Sequence, residues 1–250
     1  YHLMNTDDPL PSLSEKKFNF LEGEVLLIDK PFDWTSFDVV NKIRSRLKRA
    51  LGIKKIKVGH AGTLDPMATG LLIICTGRAT KTIESYQAQK KTYTGSICFG
   101  GTTASYDKET EVDQTYPFEH IDEAQISKVI EDKYMGKIQQ IPPMFSAIKV
   151  DGQPLYKKAR KGEVVEVKPR TVEIFKFENT GLELPAMNFE ISCSKGTYIR
   201  SIANDIGKDL NSGGHLTALR RTMIGDYHVD NSYGVNEFCD WLENNFTPEP

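Results

Sequence analysis

The sequence predicts an α+β fold, and three observations lead to this prediction. Strand-like and helical segments are mixed along the chain without a regular βαβ repeat, which argues against a doubly wound sheet. Two strand-like segments, 170–179 and 186–194, are separated by a short turn and are expected to pair antiparallel. The 250 residues are 39% hydrophobic and 26% charged, which is typical of one large globular domain with an insertion or a small appendage.

The first predicted elements are a buried strand and a basic helix. Residues 23–31, GEVLLIDKP, form an apolar run that ends at Pro31. Residues 35–52 predict a helix with Thr35 or Ser36 as its N-cap and Gly52 at its end. The apolar stripe expected on this helix consists of Phe37, Val40, Ile43, Leu47 and Leu51.

Later segments continue the alternation of strands and helices. Residues 70–77 predict a short buried strand, and residues 90–105 predict a strand that leaves through a Gly-Gly turn. Residues 122–136 and 197–214 have the apolar periodicity of helices. Between them, residues 139–163 contain prolines, an Asp-Gly pair and many basic side chains, and a long loop inside a compact domain is often functional.

Charge is unevenly distributed along the chain. The net charge is only −2, but residues 42–57 contain eight Lys or Arg and no acid, and residues 157–170 contain six more basic residues against two glutamates. This segregation is typical of a protein with one basic face that binds nucleic acid. An ordinary solvated helix face is the alternative explanation for the first cluster.

The loop at residues 59–70, GHAGTLDPMATG, contains a single acid between two apolar runs. Pro66 restricts Asp65 to extended backbone geometry, and the glycines permit close approach of the backbone to another molecule. Two interpretations are open from these residues alone. Asp65 either stabilises a turn, or the loop holds it as a reactive carboxylate.

Four further residues are candidates for binding or catalysis. Arg200 falls about three residues into the helix expected to start near Thr197, where the helix dipole disfavours a cation, so a carboxylate or a phosphate is expected beside it. Tyr93 and Tyr198 either pack in the core or stack on a nucleobase. His60 has no partners at metal-ligand spacing, which favours a structural or RNA-contacting role.

Four longer segments carry a family resemblance. They are GHAGTLDPMATGLLIICTGRATK, KTYTGSICFG, PPMFSAIKVDGQPLYKKARKG and CSKGTYIRSIANDIGKDLNSGGHLTALRR, with LLIDKP near the start. In this order they resemble the motifs of the TruB family, the tRNA pseudouridine-55 synthases, from about Gly23 to Arg221. The resemblance implies the pseudouridine synthase catalytic fold, a mixed and largely antiparallel sheet flanked by helices, with an inserted thumb that grips RNA.

The resemblance also implies roles for individual residues. Asp65 matches the catalytic aspartate of the family, and Arg200 matches the arginine that pairs with it. Tyr93 is implied to stack on the target uracil, and Tyr198 to lie near the base as a group that handles protons. The resemblance also implies that His60 contacts the flipped-out RNA region and that Leu219 packs beside the target base. Lys30, with Pro31, matches a motif that supports the substrate-binding site.

The activity implied by the resemblance is isomerisation of the uridine at position 55, in the T loop of tRNA, to pseudouridine. The glycosidic bond moves from N1 to C5 of the base, so no cofactor and no metal are expected, and the four scattered cysteines have no metal-ligand spacing. Whether the carboxylate attacks C6, attacks C1′ or removes a sugar proton stays open. The main alternative is a tRNA-binding or tRNA-folding module with no required catalysis; a guide-RNA-dependent synthase is a third possibility.

The expected domain organisation has three parts. Residues 1–20 are expected to be a disordered tail, and residues 21–235 a catalytic domain with the thumb at about 139–166. Residues 236–250 are expected to be a short tail, without a separate C-terminal RNA-binding domain. Neither a transmembrane helix nor a signal peptide is expected, which favours a cytoplasmic protein. The resemblance implies binding to the T stem-loop of tRNA, and we expect a monomer.

Overall fold

The computed structural model describes residues 13, 16–146, 148–150, 152–159, 161–162 and 165–246. The strands are β1 (Val25–Lys30), β2 (Val58–Ala61), β3 (Ala68–Thr76), β4 (Lys91–Phe99), β5 (Gly101–Thr103), β6 (Val112–Thr115), β7 (Gly136–Gln140), β8 (Lys149–Val150), β9 (Gln153–Pro154), β10 (Arg170–Glu183), β11 (Ala186–Cys193), β12 (Gly214–Ile224), β13 (Tyr227–His228) and β14 (Tyr233–Gly234). The helices are α1 (Ser36–Ala50), α2 (Ile83–Ala88), α3 (Glu123–Lys133), α4 (Leu155–Ala159), α5 (Ile199–Asp209) and α6 (Val235–Asn244).

The chain divides into two compact units, and the boundaries between them lie inside the expected catalytic domain. The first unit contains residues 1–91 and 220–250, and the second contains residues 92–219. The chain therefore leaves the first unit within β4 and returns to it within β12. Among the described residues, no helix is long and apolar enough to cross a membrane.

In the first unit, β1 lies between an antiparallel neighbour, β3, and a parallel neighbour, β14. β2 pairs with β3 in antiparallel register, with His60 opposite Ile74. The loop between β2 and β3 carries Asp65, and the start of β3 pairs with the end of β1, where Lys30 lies opposite Gly70. This pairing brings the expected supporting lysine to the same edge of the sheet as the loop.

Helix α1 packs on this sheet with a slightly different face from the one expected. Thr35 is its N-cap and forms a capping box with Asp38. Val39, rather than Phe37, lies on the buried side together with Val40, Ile43 and Leu47, and Phe37 is exposed. The prediction of Phe37 as a core residue was wrong, because the helix begins at Ser36 and its phase places position 37 toward solvent.

Both expected tails contain residues that belong to the core. Phe18 and Phe20 stack on each other, and Phe20 also makes an edge contact with Phe238 of α6. Residues 16–20 are therefore not a disordered tail; residues 1–12 and 14–15 lie outside the described part of the chain. The prediction of a tail at 236–250 was also wrong for residues 236–244, because α6 buries Phe238 and Leu242 against the first unit's core.

In the second unit the strands lie in the order β4-β11-β10-β7, and β10 pairs antiparallel with both β11 and β7. This confirms the antiparallel pairing expected of residues 170–179 and 186–194, and the largely antiparallel α+β fold. Part of the expected thumb is described: β8 and β9 form a hairpin, and α4 follows with Leu155 buried. Residues 147, 151, 160, 163 and 164 of the thumb lie outside the described residues.

Candidate active site

The loop that carries Asp65 is held through its own backbone by side chains from the preceding strand and helix. Ser36 Oγ accepts a hydrogen bond from the Leu64 amide at 2.9 Å and donates to the Leu64 carbonyl at 3.2 Å. Lys30 Nζ donates to the Pro66 carbonyl at 3.2 Å. Residues on both sides of Asp65 are thus fixed, and the direction in which its side chain leaves the backbone is restricted.

Lys30 is a buried cation whose ammonium group connects this loop with the start of α1. Its Nζ also donates to the carbonyl oxygens of Pro31, at 3.0 Å, and Trp34, at 2.5 Å. Burial lowers the pKa of Lys30 to about 8, and the negative charge of Asp65 opposes this effect. At neutral pH the ammonium group is therefore still charged and attracts the Asp65 carboxylate.

His60 lies on β2, shortly before the loop. Burial, and then the positive charge of Arg221, lower the pKa of its imidazole. The imidazole of His60 therefore favours the neutral form at physiological pH.

Arg200, the second residue of α5, is buried in the second unit. Its Nη1 donates to the carbonyl oxygens of Ser105, at 3.2 Å, and Phe145, at 2.8 Å. Its Nε lies 3.8 Å from Oδ2 of Asp107, whose side chain is also buried. A carboxylate beside a cation at this helix N-terminus was expected, and Asp107 supplies one within the second unit.

Tyr198, at the N-cap position of α5, is held by Gln140 at the end of β7. The Tyr198 amide donates to Gln140 Oε1 at 2.7 Å, and Gln140 Nε2 donates to the Tyr198 carbonyl at 3.0 Å. The guanidinium carbon of Arg170 lies 5.8 Å from the centre of the tyrosine ring, within the range of a cation–π contact. Both the backbone and the ring of Tyr198 are therefore restrained.

The remaining expected residues are divided between the units by their positions in the chain. Tyr93 is buried in β4, and Leu219 is half-buried in β12, so both belong to the second unit with Tyr198 and Arg200. Asp65, Lys30 and His60 belong to the first.

Three residues in these networks were missed by the sequence analysis. Ser36 was considered only as a possible cap, although in a Thr-Ser pair one hydroxyl caps the helix and the other is available for another contact. Asp107 lies in a polar turn, SYDKET, that looked like a surface connection. Gln140 gave no signal, because nothing in a single sequence distinguishes a buried amide at the end of a strand from an exposed one.

The basic segment at residues 42–57 is partly neutralised within the first unit. Arg46 and Arg49 both interact with Oε1 of Glu243 on α6. Lys42 Nζ donates to Asn236 Oδ1 at 2.5 Å. Some of the positive charge expected to face RNA is therefore already balanced or hydrogen-bonded by α6.

Comparison with known families identifies the chain. The model of the TruB family pseudouridylate synthase N-terminal domain matches residues 48–199, well over half of the chain. The chain belongs to the TruB family. A second model, the tRNA pseudouridylate synthase B C-terminal domain, matches residues 200–248. The resemblance inferred from the four motifs is confirmed, and the family's C-terminal model covers the helix α6 that had been expected to be a tail.

Curated TruB-family relatives match nearly the whole chain. The tRNA pseudouridine synthase B of Flavobacterium johnsoniae is 55% identical over 225 residues, which are 90% of this chain and 98% of the relative. The protein of the same name from Phocaeicola vulgatus is 54% identical over 225 residues, covering 90% and 95% of the two chains. A chain in the crystal structure of a Cbf5-Nop10-Gar1 complex matches with a TM-score of 0.67 at 26% sequence identity. The match covers 98% of this TruB-family chain and 63% of that chain.

Proposed function

We propose that this protein isomerises the uridine at position 55, in the T loop of tRNA, to pseudouridine, with Asp65 as the catalytic carboxylate. Family membership, and relatives named tRNA pseudouridine synthase B over 90% of the chain, support the reaction and the substrate class. The observation that carries the assignment to Asp65 is the loop at 62–68, in which Ser36 and Lys30 hold the backbone on both sides of this one carboxylate.

The main task of the protein in this reaction is to position the base and the sugar, because no atoms or electrons are added. The bond between C1′ and N1 breaks, a bond between C1′ and C5 forms, and the proton lost from C5 is balanced by a proton gained at N1. Product and substrate are isomers, so no electrons are gained or lost. The protein needs a nucleophilic or basic carboxylate, a surface that holds the base while it turns, and a site protected from water.

We assign the substrate-binding roles to the other residues of the family motifs. Tyr93 stacks on the target uracil, Tyr198 lies near the base and handles protons, and Leu219 packs beside the base. Arg200 supplies positive charge that favours the ionised form of the catalytic carboxylate. His60 contacts the RNA around the flipped nucleotide, and Lys30 supports the loop.

The uridine leaves its stack before it reacts, at a cost of a few kcal/mol. Phosphate contacts from the basic segment at 42–57 and from the thumb at about 139–166 offset this cost. We further propose that the protein acts as a monomer in the cytoplasm.

The test is a pseudouridine assay on an unmodified tRNA transcript, with wild-type protein and Asp65→Asn, and with a transcript that has cytidine at position 55 as the substrate control. The expected result is product at one T-loop uridine with the wild type, none with Asp65→Asn, and nearly equal tRNA affinity for both proteins. Tight binding without product from the wild type would indicate a tRNA-binding module. Loss of binding, activity and stability together in Asp65→Asn would assign Asp65 a structural role.

A further inference from the structure

Arg221, in β12, is a charged residue that is almost completely buried, with 1% of its surface exposed. Its guanidinium group donates two hydrogen bonds to backbone carbonyls within the first unit. Nε donates to Leu71 O at 2.8 Å, and Nη2 donates to Gly62 O at 3.0 Å. These two carbonyls lie on either side of Asp65 in the chain, one where the loop leaves β2 and one where it has joined β3.

We propose that Arg221 is a positioning residue for pseudouridine formation, because its guanidinium ties together the two ends of the segment that carries Asp65. This inference rests on the proposed function of Asp65. Arginine suits the role because its donors point in fixed directions from a rigid plane and can reach two acceptors at once. A lysine has a single nitrogen on a flexible stem and holds such a pair of carbonyls less firmly.

The backbone of Arg221 holds the same segment at a third point. Gly70 has a φ of +104°, and a Cβ added there would lie 2.3 Å from the Arg221 carbonyl oxygen. Such a distance is a severe clash, so the backbones of the loop end and of β12 approach as closely as only glycine permits. The guanidinium of Arg221 therefore restrains both ends of residues 62–71, and its backbone adds a close contact at the end that joins β3.

The buried charge indicates that this contact does more than fill space. Burial of an unpaired cation is costly, and an apolar side chain of similar volume often stabilises a core equally well or better. Here the guanidinium is directed at backbone carbonyls of the reactive loop. Ser36 and Lys30 hold the middle of this loop, next to Asp65, and Arg221 holds its ends. Together they fix the segment within the tolerance that catalysis requires, since a displacement of about 1 Å can reduce a rate by about 100-fold.

The experiment compares Arg221→Lys and Arg221→Met with Lys91→Met in the full-length protein. Lys91 is a matched control: it is another buried cation of the first unit, and its Nζ donates to the carbonyls of Gln89, at 2.6 Å, and Tyr86, at 3.4 Å, in a different connection. Three quantities are measured: amide hydrogen exchange of residues 62–71, the single-turnover rate at saturating tRNA, and the Kd for tRNA.

We expect both Arg221 variants to exchange faster at residues 62–71 and to react about 10- to 100-fold more slowly, with the Kd for tRNA changed less than about threefold. Arg221→Lys should retain more activity than Arg221→Met, because it keeps the positive charge and a donor nitrogen. Lys91→Met should leave the exchange of residues 62–71 unchanged.

Unchanged exchange at residues 62–71 in Arg221→Lys, or an unchanged rate per folded molecule, would overturn the proposal. If Arg221→Met does not fold, the comparison of Arg221→Lys with wild type decides. If the wild type forms no pseudouridine, the proposed function fails, and the exchange data still show whether Arg221 fixes the loop.

Discussion

Arg200 and Asp107 form a buried ion pair in the second unit, with 3.8 Å between Nε and Oδ2. Asp107 is itself oriented, since its Oδ1 accepts hydrogen bonds from Ser105 Oγ at 2.5 Å and from the Glu109 amide at 2.9 Å. Arg200 also donates to the carbonyl of Ser105. The turn at residues 105–109 therefore sets the position of a cation that the proposed reaction needs.

Replacement of Asp107 by asparagine should slow the reaction and destabilise the protein. The variant keeps the shape of the side chain but removes the carboxylate that pairs with the buried Arg200 in this turn. Breaking a buried ion pair in this way costs about 3 kcal/mol. Urea unfolding should show the lower stability, and single-turnover assays should show a rate at least about tenfold lower, because the guanidinium can shift by a fraction of an ångström.

The matched control for this variant is Asp113→Asn. Asp113 is an exposed acid of the neighbouring strand β6, and its Oδ1 accepts a hydrogen bond from Thr102 Oγ1 at 2.6 Å. Its substitution should change stability by less than about 0.5 kcal/mol and leave the rate unchanged. Equal rates for wild type and Asp107→Asn would mean that the turn has no influence on the reaction.

Substitution of Gln140 by methionine should impair turnover through Tyr198. Methionine has a similar volume but removes both hydrogen bonds to the backbone of Tyr198, at about 1–3 kcal/mol for the amide left unsatisfied. The Tyr198 carbonyl still accepts a hydrogen bond from the Ile202 amide at 3.3 Å. We expect lower stability and a rate about tenfold lower, with little change in the Kd for tRNA. The exposed neighbour Gln139, whose Nε2 donates to Thr171 Oγ1 at 2.8 Å, provides the control variant Gln139→Met; a similar loss of rate in both variants would contradict a specific role for Gln140.

The rate and the stability should respond in opposite directions to pH above about 8. The pKa of Lys30 is lowered from 10.5 to about 8 by burial, so between these values the unfolded chain binds the proton and the folded protein has lost it. Lys30 therefore contributes to a rise in stability with pH over this range. The neutral amine, however, has only two N–H donors for three carbonyls and no longer attracts Asp65, so the reaction rate should fall with a midpoint near pH 8.

Rates and urea unfolding measured from about pH 6.5 to 9.5 test this prediction. Other charged groups also act on Lys30: Arg221 lowers its pKa, whereas Asp33 and Asp38 raise it. Asp33→Asn removes one of these negative charges while keeping a side chain that tolerates the positive φ of 64° at this position. It should move the fall in rate to lower pH; an unchanged midpoint would exclude Lys30 as the titrating group.

The C-terminal helix should be as important for stability as the central core. Phe238 is fully buried and contacts Phe18, Phe20 and Trp241, so Phe238→Ala should lower the free energy of unfolding by about 3–5 kcal/mol. Substitution of the exposed Asn236 in the same helix is the control. A destabilisation below about 1 kcal/mol would mean that α6 packs only loosely.

Regular elements were predictable wherever the local pattern was strong. The helices α1, α3 and α5 and the strand pair β10–β11 follow from periodicity and turn residues. The errors arose where packing partners are distant in the sequence. Phe18 and Phe20 lie in a polar segment and pack against α6, which is more than 200 residues away. Phe37 and Val39 both fit a helical stripe with Val40, Ile43 and Leu47, and the local pattern alone did not show that Val39 is the buried one.

The candidate site was predictable only in part for the same physical reason. Asp65 could be found because an acid, a proline and several glycines are adjacent in the chain. The groups that hold its loop, Ser36, Lys30 and Arg221, are contributed by distant strands and a helix. Lys30 was expected only through the family resemblance, and Ser36 and Arg221 have ordinary local sequences. The hydrogen bonds to backbone carbonyls that define their roles depend on the fold and leave no pattern in the residues themselves.

The ion pairs between α1 and α6 also affect the affinity that α1 would have for nucleic acid. Each cation that binds phosphate releases a counterion and steepens the dependence of affinity on salt. Because Glu243 already interacts with Arg46 and Arg49, fewer counterions are released than the basic residues of α1 would indicate. We therefore expect Glu243 to weaken the sequence-independent attraction of this helix to nucleic acid.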